Sequence, residues 1–144
     1  MTTILKIPAL ILTLLFAVGS QVLGQDEGRV FNVQTWLRTA DPGFNHELVD
    51  SIVKVYQKNV TAKNEKVISA RIMKHYMTED SREMVFIFEY KSLADMEEAF
   101  KLDQELAKKA WPDQKTKEAF DKLWKTAFTH HEDRVYGEVL GTRK

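Results

Sequence analysis

Between Met84 and Tyr90 apolar side chains stand on both parities of one run, Met84, Phe86, Phe88 and Tyr90 on one and Val85 and Ile87 on the other. Side chains alternate across a strand, so a segment of this kind has no face to give to water. It demands a central place in a sheet that is covered on both sides. Val30 to Leu37 makes the same demand, with Phe31, Val33 and Leu37 on one parity and Val30 and Trp36 on the other. Two further strand candidates are one-sided. In Val67 to Tyr76, Ile68, Ala70, Ile72 and Tyr76 share a face opposite the mixed set Ser69, Arg71, Met73 and His75. In His131 to Leu140, Val135 and Val139 oppose Arg134, Tyr136 and Glu138.

Helical periodicity fills the intervals. Asp41-Pro42-Gly43 is turn chemistry and Asn45 suits an N-cap, after which Leu48, Val49, Ile52, Val53, Tyr56 and Val60 form a stripe that predicts a helix to about Lys63. Ser92-Leu93-Ala94-Asp95 predicts the capped start of a second helix carrying Leu93, Met96, Phe100 and Leu106, broken near Trp111-Pro112. Ala119, Phe120, Leu123, Trp124, Ala127 and Phe128 mark a third. The order is β-α-β-β-α(α)-β, the split βαβ plan of an α+β, ferredoxin-like fold with a four-stranded antiparallel sheet. That plan places the first and third strands in the middle, where the two-faced runs fall. Helices can cover only one face of such a sheet. The other, bearing Trp36 or Phe31 and members of the 84–90 run, needs a second copy to cover it, so a homodimer is expected.

The first residues read as a tripartite leader, with Lys6 as the only charge, an apolar run from Ile7 to Val18, and small residues towards Gly24. This predicts a signal peptide over 1–24 and a single domain over 25–144, exported to the periplasm or secreted. The apolar run is shorter than the roughly 20 residues a bilayer core requires and contains Pro8, so no membrane anchor is expected after cleavage. The chain has no cysteine, which rules out a disulfide staple, a lipid-bearing cysteine and thiol chemistry. Its 21 basic side chains balance 21 acidic ones, without the basic stripe that a nucleic-acid partner calls for. No Gly-rich phosphate loop, Gly-x-Ser-x-Gly elbow or His-Glu-x-x-His run is present in the sequence.

The passage Val85-Phe86-Ile87-Phe88-Glu89-Tyr90-Lys91-Ser92-Leu93-Ala94-Asp95 is the part of the chain that is most telling. It is similar to the strand-to-helix step of the dimeric α+β barrel superfamily, which includes antibiotic-biosynthesis-type monooxygenases, haem-degrading monooxygenases and small stress-responsive proteins. The resemblance covers most of the chain after the leader as a pattern. It implies a homodimer, with any ligand held between helices and sheet, and activities that range from oxygenase through isomerase-like to none. Haem-degrading members carry a histidine on the helix after the third strand. Residues 93–109 contain none, and neither haem nor another cofactor is expected.

Several side chains are candidates for chemistry. In His130-His131-Glu132-Asp133 only His131 with Asp133, or His130 with Glu132, can meet one ion, because strand neighbours point to opposite faces; a pair is too few ligands, and no metal is expected. His75 and Tyr76, with Glu89 and Tyr90, lie near the ends of adjacent antiparallel strands, at opposite ends of their hairpin, and are the candidate acid-base groups of a monooxygenase-like site. Glu89, among Ile87, Phe88 and Tyr90, needs a cationic partner that Arg71 or Lys91 could supply, and a plain sheet ion pair is the simpler reading. Trp36, Phe88, Phe100, Trp111, Phe120 and Trp124 are core aromatics or the lining of a pocket for a small apolar or aromatic ligand. Three functions remain open at this point: a ligand-binding homodimer, a cofactor-independent monooxygenase-like enzyme, and a structural or accessory subunit.

Overall fold

The structure, a computed structural model, describes residues 28–143. Four strands and three helices follow one another along the chain: β1 (Val30–Arg38), α1 (Glu47–Asn59), β2 (Ser69–Lys74), β3 (Glu83–Tyr90), α2 (Leu93–Ala110), α3 (Gln114–Ala127) and β4 (Phe128–Gly137). A 3₁₀ turn, Thr61–Lys63, follows α1. The strands form one antiparallel sheet in the order β2-β3-β1-β4, so the two segments apolar on both parities are the central ones. Gln34 faces Phe86 and Trp36 faces Met84 across β1 and β3, while Ala70 and Ile72 of β2 face Phe88 and Phe86. These residues make up the helix-covered side. Phe31, Val33, Val85 and Ile87 point to the opposite, open side.

The register settles which aromatic residue of β1 lies under the helices. Trp36 packs against Phe86, Trp124 and Phe128, with ring centroids 5.3 to 6.0 Å apart, whereas Phe31 faces the open side. Buried residues gather in two clusters. Val49, Ile52 and Val53 of α1 meet Met84, Phe86, Ala127 and Phe128 in one, and Tyr90 meets Met96 and Ala99 of α2 in the other. Phe88 packs against both.

Element ends depart from the periodicity in physically simple ways. Asn45 accepts from the Glu47 amide at 3.0 Å, and the N-cap position itself belongs to His46, which makes no side-chain cap. The helix stops at Asn59 rather than Lys63, and Leu48, at the margin of its stripe, is exposed. β2 ends at Lys74, which leaves Tyr76 in the connector and 89 % exposed. β4 starts at Phe128, three residues before the predicted point, because the Ala127 carbonyl accepts from Thr39 N at 2.7 Å and so draws the end of α3 directly into the sheet. Val139 falls outside the strand and is exposed. The predicted start of α2 and the predicted break after it both hold: Ser92 Oγ accepts from Asp95 N at 3.1 Å, and α2 ends at Ala110, before Trp111-Pro112, with α3 then capped by Asp113, which accepts from Thr116 N at 2.8 Å. No helix among the described residues is long and apolar enough to cross a membrane. The leader lies outside the described residues.

Candidate functional site

The seam between the two core clusters is not filled. A cavity of about 330 Å³ lies there, floored by Trp36, Phe86, Phe88 and Tyr90 of the central strands and walled by Val53, Tyr56 and Gln57 of α1. Phe100 and Asp103 of α2, Phe120, Asp121 and Trp124 of α3, and Gln34, Ile72 and Thr61 complete it. The helix stripes that bring these residues inward also explain why space remains. Flat rings stack more readily than they interdigitate, and Tyr56 lies nearly parallel to both Phe120 and Trp111, with centroids 6.4 and 6.3 Å away. Five of the six aromatic residues singled out above line this cavity. Trp111, the sixth, lies on an adjoining space between the helices, which shares Tyr56, Phe100, Asp103, Phe120 and Asp121 with it.

Polar groups enter the cavity at few points. Asp103 Oδ1 accepts from Asn64 Nδ2 at 2.7 Å, and the same amide nitrogen donates to the Ala99 carbonyl at 3.0 Å, so α2 is pinned to the turn after α1. Asp103 Oδ2 receives no hydrogen bond among the described residues. Burial raises the Asp103 carboxyl above the usual carboxylate range, against the opposing pull of the Asn64 bond. Burial also pushes the Tyr56 phenol up to about 12, with the Asp103 carboxylate adding to the shift. Tyr90 is raised further for the same two reasons, with Tyr56 adding to them. Both phenols are therefore protonated donors at neutral pH, and neither makes a hydrogen bond among the described residues. Gln57 Oε1 is buried and has no donor, while Gln34 Oε1 is engaged by Trp36 Nε1 at 3.0 Å.

The four candidate acid-base residues fall in three places. His75 sits at the end of β2, where Thr78 Oγ1 lies 2.8 Å from its Nδ1, and neither it nor Tyr76 lines the cavity. Glu89 lies on the open side of β3. Tyr90, one residue on and of opposite parity, is the only one of the four in the cavity. Glu89 is partnered neither by Arg71 nor by Lys91: Ser69 Oγ donates to it at 2.7 Å, and Arg143 and Arg29 approach at 3.4 and 3.8 Å. Arg29 precedes the residue pairing of β1 with Glu89, and the C-terminal segment brings Arg143 back to the same corner. His131 and Asp133 do share a face, 3.4 Å apart, but the imidazole lies flat on Trp36 with centroids at 4.1 Å. No group of three potential metal ligands occurs among the described residues.

Asp103, Tyr56 and Gln57 escaped the sequence reading. Asp103 had a visible signature: it stands four residues after Ala99 and three after Phe100, an acidic side chain in the apolar stripe of α2. Tyr56 belongs to its apolar stripe with no local sign of a polar role, and nothing in the sequence distinguishes Gln57 from a surface glutamine.

By sequence the chain matches no protein-family profile and no curated protein. Its backbone is more informative. A dimeric ferredoxin-like protein from an uncultured marine organism superposes with a TM-score of 0.54 at 16% identity, over 83% of this chain and 95% of that one. This chain has a ferredoxin-like fold. A NIPSNAP-family protein of unknown function from Agrobacterium tumefaciens shares the fold, with a TM-score of 0.55 at 11% identity over 81% and 93% of the two chains. So does a cofactor-independent oxygenase from Streptomyces nogalater, with a TM-score of 0.51 at 9% identity over 79% and 98%. At such identities the likeness is one of fold, and the chemistry of this chain rests on its own cavity.

Proposed function

We propose that this protein is an exported homodimer that binds a small, largely aromatic ligand between its helices and its sheet. The observation that carries the reading is the cavity of about 330 Å³, whose walls are mostly aromatic and whose few polar groups converge from three helices and the sheet. That is the composition of small-molecule sites, where apolar surface supplies affinity and a few polar groups set orientation. The dimer follows from the open side of the sheet, where Phe31, Val33, Val85 and Ile87 have no helix over them, and neighbours of the same fold are described as dimeric. Export follows from the tripartite leader.

Trp36 and Trp124 both line the cavity and report on its contents. Titration with a panel of phenols, naphthols and aromatic ketones, followed by tryptophan fluorescence, should show saturable quenching by at least one compound. Phe100→Ala is the discriminating variant, because Phe100 lines the cavity yet is 41 % exposed, so its loss disturbs the core little. It should weaken binding about tenfold, on the order of 1.4 kcal/mol. Absence of saturable quenching across the panel would remove the ligand-binding reading.

A further inference from the structure

The polar groups of the cavity are of different kinds, and their combination is more specific than simple binding requires. Asp103 has one carboxyl oxygen fixed by Asn64 and the other without a protein hydrogen bond among the described residues. Tyr56 and Tyr90 present phenol hydroxyls that make no protein hydrogen bond, from α1 and β3, to the same space. A positioned base beside two weakly acidic donors is what removal of a proton next to a carbonyl calls for: the base takes the carbon-bound proton while the donors stabilise the oxygen that gains charge.

We propose that the cavity is a proton-transfer site for aromatic ketones and related enolisable carbonyl compounds, with Asp103 as the base and Tyr56 and Tyr90 as the oxygen-binding donors. The inference rests on the binding reading above. In the step, the C–H bond beside the carbonyl breaks and its proton passes to the free Asp103 oxygen. The C–H electron pair becomes the new C=C bond, and the carbonyl π pair moves onto oxygen, which accepts hydrogen bonds from the two phenols. Asp103 then returns the proton to the same carbon or, in a conjugated substrate, to the far end of the system. Exchange or isomerisation results, with no net oxidation and no co-reactant.

The groups that bear on the pH dependence come from every element around the carboxyl. Tyr56 of α1 and Tyr90 of β3 stay protonated through the neutral range. Asp121 of α3 lines both the cavity and the adjoining space and is held by Lys117 at 2.6 Å, and Lys108 of α2 lies on the rim of the adjoining space. Burial holds Asp103 above the ordinary carboxylate range, so the base form, and with it the rate, should rise with pH through that raised value.

The test uses the folded, mature protein in deuterated buffer with 2-tetralone, a compact aromatic ketone, and follows loss of the protons beside the carbonyl by NMR. Exchange should run at least tenfold above buffer at the same pH, and 2-naphthol, a planar mimic of the enol, should inhibit it. Asp103→Asn retains an oxygen for Asn64 and should return exchange to the buffer rate while fluorescence still registers the bound ketone. Tyr90→Phe and Tyr56→Phe should each slow exchange about tenfold and leave the pH profile in place. Ketone that binds without accelerated exchange overturns the proton-transfer inference alone, as does exchange unaffected by Asp103→Asn or by both phenol variants. Ketone and naphthol that both fail to quench overturn the binding reading, and the inference with it.

Discussion

Asp103 shows how one residue can be costly and useful at once. Its carboxyl is drawn out of water by α2 and receives a single hydrogen bond, from Asn64, so ionisation is disfavoured in the folded protein. A folded-state value raised above the unfolded one means that the native protein holds the proton more tightly. Stability contributed by the neutral carboxyl is therefore complete at low pH and is lost as pH climbs from the ordinary carboxylate value through the raised one. Asp103→Asn removes that loss while keeping an acceptor for Asn64. We expect the variant to gain melting temperature relative to the parent as pH is raised from 4 to 8, read by thermal circular dichroism at both values. A difference independent of pH would mean that the carboxylate is solvated in the folded state. Glu89 is the contrasting case: with 16 % of its side chain exposed, it is met by Ser69, Arg29 and Arg143.

At the scale of elements, the cavity exists because α2 and α3 are held as separate helices. The break at Trp111-Pro112 lets each present its own aromatic residues, Phe100 from one and Phe120 and Trp124 from the other, to opposite walls. The start of α2 is secured by a local motif. Ser92 Oγ accepts from Asp95 N, and its hydroxyl donates to Asp95 Oδ2 at 2.7 Å, so the carboxylate returns to the hydroxyl instead of the backbone amide of a full capping box. These bonds and the Lys66 ammonium at 3.1 Å lower the Asp95 carboxyl below its usual range. Ser92→Ala should lower unfolding free energy by about 1 kcal/mol, measured by chemical denaturation, because it uncovers the first-turn amide. Asp95 keeps its lysine in that variant, so near-native far-ultraviolet dichroism is expected. A loss well under half that size would mean that the cap contributes little beyond what water supplies.

The whole molecule is two-layered where its sheet asks for three layers. Helices shield the side of Trp36, Phe86 and Phe88, and the other side carries Val33, Ile87 and, 45 and 48 % exposed, Met73 and Tyr136. A groove of about 630 Å³ crosses this side between apolar Phe31, Val33 and Ile87 and the cluster of Glu89, Glu138 and Arg143. Apolar centre with charged margin is the anatomy of a protein interface. Protein recovered from the periplasm of a Gram-negative host should begin at or near Gln25 and scatter light as a particle of twice its chain mass. Ile87→Lys, which puts an uncompensated charge in the middle of that side, should yield the monomer with its dichroism retained. A parent protein that is monomeric at micromolar concentration would contradict the assembly.

How much of this was written in the sequence depends on the range of the interaction concerned. Element order, the central place of β1 and β3, the Ser92 start and the break at Pro112 rest on contacts between residues a few positions apart or on which parity is apolar, and both are legible in one dimension. The sequence likewise held most of the cavity lining, since large aromatic residues on inward stripes must meet somewhere. What it could not determine was which of them leave a gap, because a void is the mismatch of surfaces from α1, α2, α3 and the sheet together. The side of the sheet that Trp36 faces and the partners of Glu89 were also settled only in three dimensions. Each depends on strand register or on where a distant segment returns, and residues as far apart as Arg29, Glu89 and Arg143 become neighbours only when the sheet brings β1, β3 and the C-terminal segment to one corner.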